Sequence, residues 1–153
     1  MGAVMTRRIR LSIVLAAVLA LWSGFAWTVT RPDDFADYSR TVGQVAGATH
    51  DAARTGWLTG QQQLAGRVTA AFAATAYDDA GKALAGARKQ FAAAIPPDER
   101  AVSLRDQLGP LLADAERSFG DAAGAADRTA LAAAVDRLEA VSRSLEEFIE
   151  AHR

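Results

Sequence analysis

Residues 127–152 read DRTALAAAVDRLEAVSRSLEEFIEAH, and their apolar pattern decides the fold class. Leu131, Val135, Leu138, Val141, Leu145 and Phe148 recur at steps of 4, 3, 3, 4 and 3. That period places all six on one stripe of a helix, and the stripe must lie against another element. Glu139 and Arg143 are spaced to pair along the outer surface. Glu146, Glu147 and Glu150 lack a histidine at the offset that a bundle di-metal site requires, so they read as a solvated face.

Upstream, Leu104, Leu108, Leu111, Ala115 and Phe119 form the buried row of another helix, starting near Pro97 with Asp98 and Glu99 in its first turn. Gly109-Pro110 in its middle predicts a kink or brief interruption, and Gly120 a stop before a loose connection over residues 121–126. Pro96-Pro97 ends the helix before it. In that preceding helix a row runs from Leu64 through Val68, Phe72, Ala76, Ala80, Leu84, Ala87 and Phe91 to Ile95. The first helix opens at Asp33 and Asp34, with Asp37 spaced to pair with Arg40, and carries a seam of Phe35, Tyr38, Val42, Val45, Thr49 and Ala52. Gly43 and Gly47 lie off that seam and mark a candidate second close contact.

The break between these two helices is expected at residues 54–60, with Gly56 as a C-terminal cap and Thr59 capping the start of the second. The alternative is a break at Tyr77-Asp78-Asp79, which lengthens the first helix and puts Gly56 and Gly60 inside it. No strand-like alternation occurs, and short connections make neighbouring helices antiparallel. The expected fold is all-α, an up-and-down antiparallel bundle of four helices over residues 31–153, preceded by a transmembrane helix.

That membrane segment is LSIVLAAVLALWSGFAWTVT, residues 11–30, flanked by Arg10 and Arg31. Twenty residues as a helix span roughly 30 Å, the thickness of a bilayer's hydrocarbon core. Arg7, Arg8 and Arg10 precede it in the basic segment 1–10, and Asp33, Asp34 and Asp37 come after. The positive-inside rule therefore puts the N-terminus in the cytoplasm and the bundle outside, held to the cell membrane by a signal anchor. The competing reading is a signal peptide cut after Ala26, beyond the small residues Ser23 and Gly24, which releases a secreted bundle. Residues 6–11 approach a twin-arginine signal, but Arg10 stands where that motif prefers an aromatic residue. Ala16, Ala20 and Gly24 fall four apart, with Ser12 and Thr28 extending the row, a small-residue pattern that lets membrane helices approach and dimerise.

The 153 residues suffice for one domain besides the membrane segment. Alanine makes up about a quarter of the chain, so the helices should be thin and packed at short interaxial distance. Lys82 and Lys89 are the only lysines among 17 basic residues, an arginine bias typical of high-GC bacterial genes. Three of those 17 precede residue 11, leaving 14 against all 18 acidic residues, a net of −4. Nucleic acid is not an expected partner for a domain of that sign. Cysteine is absent, so packing alone must hold the fold.

Neither histidine has catalytic company. His50 shares its helical face with no carboxylate or second imidazole, and His152 belongs to a fraying end. There is no nucleophile elbow and no phosphate loop, so the reading is not an enzyme, with no cofactor and no metal. Asp33, Asp34 and Asp37 are explained by helix capping and pairing before any divalent cation. Trp57 and Leu58, enclosed by Thr55-Gly56 and Thr59-Gly60, are the candidate partner contact if they occupy a turn at the distal end. The competing reading folds Trp57 back to plug the end of the core.

In layout the chain resembles the four-helix extracytoplasmic domains of bacterial chemoreceptors and sensor kinases, which also begin with a membrane helix. It departs from them in showing no second membrane helix or signalling region after His152 and Arg153. The leading expectation is therefore a membrane-anchored scaffold or accessory subunit that binds a protein partner or itself. The alternative is a ligand-binding, sensor-like bundle that signals through a partner.

Overall fold

The computed structural model describes residues 34–153. The apolar segment 11–30, with Ala16, Ala20, Gly24 and the cleavage alternative at Ala26, lies outside the described residues. Four helices occur in order: α1 (Phe35–Leu64), α2 (Ala70–Ala93), α3 (Glu99–Ala123) and α4 (Arg128–Ala151). No strand occurs among the described residues.

Each helix begins on a polar side chain that accepts a hydrogen bond from the backbone N–H three residues on. Asp34 takes that of Asp37 at 2.9 Å, Thr69 that of Phe72 at 3.2 Å, Asp98 that of Ala101 at 2.9 Å and Asp127 that of Ala130 at 2.8 Å. Such caps satisfy donors that no helical carbonyl can reach and contribute about 1 kcal/mol apiece. The Ala101 N–H, together with Arg100, holds the Asp98 carboxyl below its ordinary range.

Side-chain pairings fix the helix directions. Gln90 donates to Gln44 at 3.3 Å, while the Tyr77 hydroxyl stands over Gly60, so α2 runs antiparallel to α1. Gly56 faces Leu138 and Gly60 faces Val135, which makes α4 antiparallel to α1 as well. The Arg100 guanidinium lies 4.2 Å over the Phe35 ring and Phe119 meets Gly56, so α3 runs parallel to α1. The bundle is up-and-down but not square. α1 packs against all three other helices, α2 and α3 approach sparingly, and the backbones of α2 and α4 come nowhere within 8 Å between Cα atoms.

The seam expected on α1 is the one observed: Tyr38, Val42, Val45, Thr49 and Ala52 are buried, and Phe35 packs against the core from its rim. Thr49, fully buried, returns its hydroxyl to the Val45 carbonyl at 2.8 Å. All six apolar positions quoted for α4 are buried. Glu139 pairs with Arg143 at 3.7 Å, and Asp37 with Arg40 at 2.8 Å.

The chain does not break at residues 54–60, nor at Tyr77-Asp78-Asp79. α1 continues through Gly56, Thr59 and Gly60, all buried. These glycines are there for proximity and not for a turn: a methyl group on Gly56 would stand 2.7 Å from Cζ of Phe119, and one on Gly60 would collide with Val135. Asp78 and Asp79 cap nothing; they pair with Lys82 one turn on, at 2.6 and 3.5 Å. The break falls at residues 65–69. Gly66 turns to φ +69°, and its N–H reaches the Gln63 carbonyl while that of Arg67 reaches Gln62. That is a Schellman closure, in which the left-handed residue favours glycine.

Further expectations give way. The early row of α2 shifts by one residue to Ala73 and Tyr77, leaving Phe72 60% exposed; with α2 starting afresh at Ala70, Phe72 falls in a first turn unconnected to Leu64 and Val68. Of the kink or interruption expected at Gly109-Pro110 the interruption does not occur, and α3 runs past Gly120 to Ala123, where Gly124 caps it. Pro110 is exposed, so the Asp106 carbonyl that loses its helical partner can turn to water. In the same helix Leu112, and not Leu111, completes the buried row. Finally, Gly43 and Gly47 have open space around them, so neither makes a second close contact in the described residues.

The glycines give two testable outcomes. Thermal melts should place Gly60→Ala about 1–3 kcal/mol below the parent through overpacking, with part of the loss recovered by Val135→Ala in the same chain. Gly43→Ala, where space is open, should instead gain about 0.5–1 kcal/mol from helix propensity.

Tyr77 supplies another. Its hydroxyl is buried without a hydrogen-bond partner, and burial pushes the phenol pKa above its ordinary value. The folded state therefore keeps the proton after the unfolded chain has lost it, so this contribution to stability falls as pH rises past about 10. Urea titrations should find Tyr77→Phe at least as stable as the parent at neutral pH and less sensitive to alkali.

Candidate functional site

Trp57 and Leu58 sit inside α1, about two turns before its end, and not in a turn. Consecutive helical positions point about 100° apart, and the two side chains separate accordingly. Trp57 is half-buried against the core with the Arg54 guanidinium 5.7 Å over its ring, and its indole N–H is buried without a partner. Leu58 is 47% exposed. The helix thus divides the pair that sequence reading joined, with Trp57 inside and Leu58 outside.

Phe72 joins Leu58 as an exposed apolar residue at this end of the bundle, since it lies in the first turn of α2 just beyond the Gly66 turn. Sequence reading missed it by placing it in a core row. The Schellman glycine two residues past Leu64 was the available signal, since a helix that ends there restarts its phase.

At the opposite end, α1, α3 and the tail of α4 enclose a shallow groove of about 410 Å³. Phe35 and Leu104 give it an apolar floor, Ser39, Ser103 and Gln107 supply polar side chains, and Arg100, His152 and Arg153 line its edge. Arg100 is already engaged, with its guanidinium 3.0 Å from Asp98 and stacked over Phe35. His152 lies just past the end of α4, with Nδ1 2.8 Å from the Phe148 carbonyl and its ring 4.4 Å from that of Phe148. Because a carbonyl only accepts, Nδ1 carries the proton and Nε2 is left for other company.

A second groove of about 330 Å³ lies between α3 and α4. Its charges are neutralised in place, Arg117 by Asp114 and Arg137 by Asp121. In the groove beside Phe35 the His152 ring is bonded to the Phe148 carbonyl and the Ser103 hydroxyl to Gln107, and no hydrogen bond joins His152 to either serine. His50, half-buried, has only the carboxylate of the next residue, Asp51, at 3.5 Å, and its Nε2 is buried without a partner. Among the described residues no three His, Cys, Asp or Glu side chains gather as a metal site.

The class defined by these features is an alanine-rich, antiparallel four-helix bundle with apolar residues exposed at both ends. No protein family, curated protein or solved structure matches the chain. The bearing on function is therefore that of the bundle's own surface.

The Trp57–Leu58 division is testable. Trp57→Ala should lower stability by about 1–3 kcal/mol, less than a fully buried indole because only part of the ring is covered. Leu58→Ser should leave the melting temperature within experimental scatter, since surface substitutions away from caps and networks change little.

Proposed function

We propose that this is a membrane-held helical bundle that works by binding a protein partner or a second copy of itself. The observation that carries the reading is the exposure of Leu58 and Phe72 at one end of the bundle, on a surface where several charged groups pair with near neighbours. Apolar side chains that the fold leaves in water gain from being covered by a partner, whereas locally paired surface charges offer a ligand little. The apolar segment 11–30 and its arginine flank support attachment to the membrane with the bundle outside. No helix among the described residues is long and apolar enough to cross a membrane, so attachment in this reading rests on that segment. The reading is of a binding protein and not an enzyme, in keeping with a sequence that carries no nucleophile elbow or phosphate loop.

The groove beside Phe35 favours a second reading, a sensor-like bundle that binds a small anionic or hydroxylated molecule through Ser39, Ser103 and the basic side chains at its edge. The two readings separate in one experiment. A photo-crosslinking residue at position 58 or 72 of the full chain, activated in membranes, should give a discrete protein adduct that Leu58→Asp or Phe72→Asp abolishes without changing the melting temperature. No adduct, together with a small molecule retained by the purified chain in native mass spectrometry, overturns the scaffold in favour of the sensor.

A further inference from the structure

The most exposed large apolar residue in the described chain is Ile95, at 77%, and it stands in a loop that Pro96 and Pro97 complete. The Ala94 N–H is bonded to the Gln90 carbonyl at 3.2 Å, and the Ala94 carbonyl accepts from Arg105 at 2.8 Å. Pro96 and Pro97 have no N–H at all. Along residues 94–97 one N–H, that of Ile95, and the carbonyls of Ile95, Pro96 and Pro97 remain for water or lipid headgroups to meet, which suits a shallow interfacial contact and not deep burial. Arg105 also lies 5.2 Å over the Phe91 ring, which pins the loop to the bundle. Ile95 is thus presented on a fixed support and not on a loose strand of chain.

Its position gives the loop an occupant. Three residues beyond Pro97, Arg100 stacks on Phe35, the first residue of α1, so the loop adjoins the end at which the chain enters the bundle. Val29, near the close of the apolar segment, precedes Phe35 by six residues, a reach of at most about 20 Å even if fully extended. A bundle tied to a bilayer by that segment keeps this end near the lipid headgroups. Residues 91–97 hold no acidic side chain, and the Asp98 that follows them is engaged in a helix cap and paired with Arg100. Glu99, and Glu147 and Glu150 near the end of α4, are exposed and charged and limit how deep this end can go.

We infer that residues 94–97 form a second, shallow membrane contact in which Ile95 enters the interfacial layer of the bilayer that holds the apolar segment. The inference rests on the membrane-held reading. Its effect is orientational: one tether lets a domain swivel, whereas a tether and a contact point fix which end faces outward. Leu58 and Phe72, at the other end, are then turned away from the lipid.

The chain has no cysteine, so Ile95→Cys and Leu58→Cys each provide a unique site for an environment-sensitive fluorophore. The full chain would be reconstituted into phosphatidylethanolamine and phosphatidylglycerol vesicles, with flotation as a separate readout of the tether. The expected result is a blue shift at position 95 with quenching by headgroup-proximal spin-labelled lipid, and neither at position 58. A chain that floats but gives the same aqueous signal at both positions overturns the contact and leaves the tether standing. A blue shift at 95 that lipid quenchers do not touch places a protein there instead and also overturns it. A chain that fails to float removes both readings.

Discussion

The close approach of α1 to its neighbours at Gly56 and Gly60 is the constraint on which the bundle depends. With no side chain at either position, the Phe119 ring and the Leu138 and Val135 side chains press almost to the α1 backbone. Alanines extend the same geometry, since Ala46, Ala53, Ala101, Ala115 and Ala134 are all fully buried. A core of small residues buries little area per side chain, but it lets helices come near enough for backbone and Cβ atoms to make dispersion contacts. It also gives α1 more than one packing face, which is why it can serve three partners while α2 and α3 barely meet.

The parts of the fold legible in the sequence were those written in large side chains. The α4 stripe and the α1 seam stood out because Leu, Val, Phe and Tyr recur at helical steps with polar residues between, and both are buried as read. Asp34 and Asp98 were legible as helix starts for a different reason, because a carboxylate at a first turn has a specific donor to satisfy. What misled was glycine. Gly56, Gly60 and Gly66 are the same letter with two physical uses, close packing in a helix and a left-handed turn at its end, and only the neighbours that meet a missing methyl group distinguish them. One misplaced break then carried Phe72 into a core row to which it does not belong. Ile95 was misread for another reason, since a residue before Pro-Pro leaves the helix and its place in the row.

The candidate surface was half legible. Trp57 and Leu58 attract notice as bulky residues among threonines and glycines, but adjacency in sequence is separation on a helix, and the indole goes inside while the leucine stays out. The groove beside Phe35 draws its residues from α1, α3 and α4, and no local pattern announces a site assembled from helices so far apart in the chain. The engagement of Arg100 with both Asp98 and Phe35 exists only once the bundle has closed.

The pairing of α1 with α4 has a consequence for the order in which the molecule can be made. These are the first and last helices of the bundle, and their interface is among its most extensive. Pairing elements from the two ends of a chain requires the whole intervening length to be closed into a loop before the contact repays it. During synthesis, α1 can gather α2 as soon as that helix emerges, but the surfaces around Gly56 and Gly60 wait for Leu138 and Val135. Until the final stretch has been added, the alanine-lined side of α1 has no permanent cover, and the growing chain is a bundle in composition before it is one in structure.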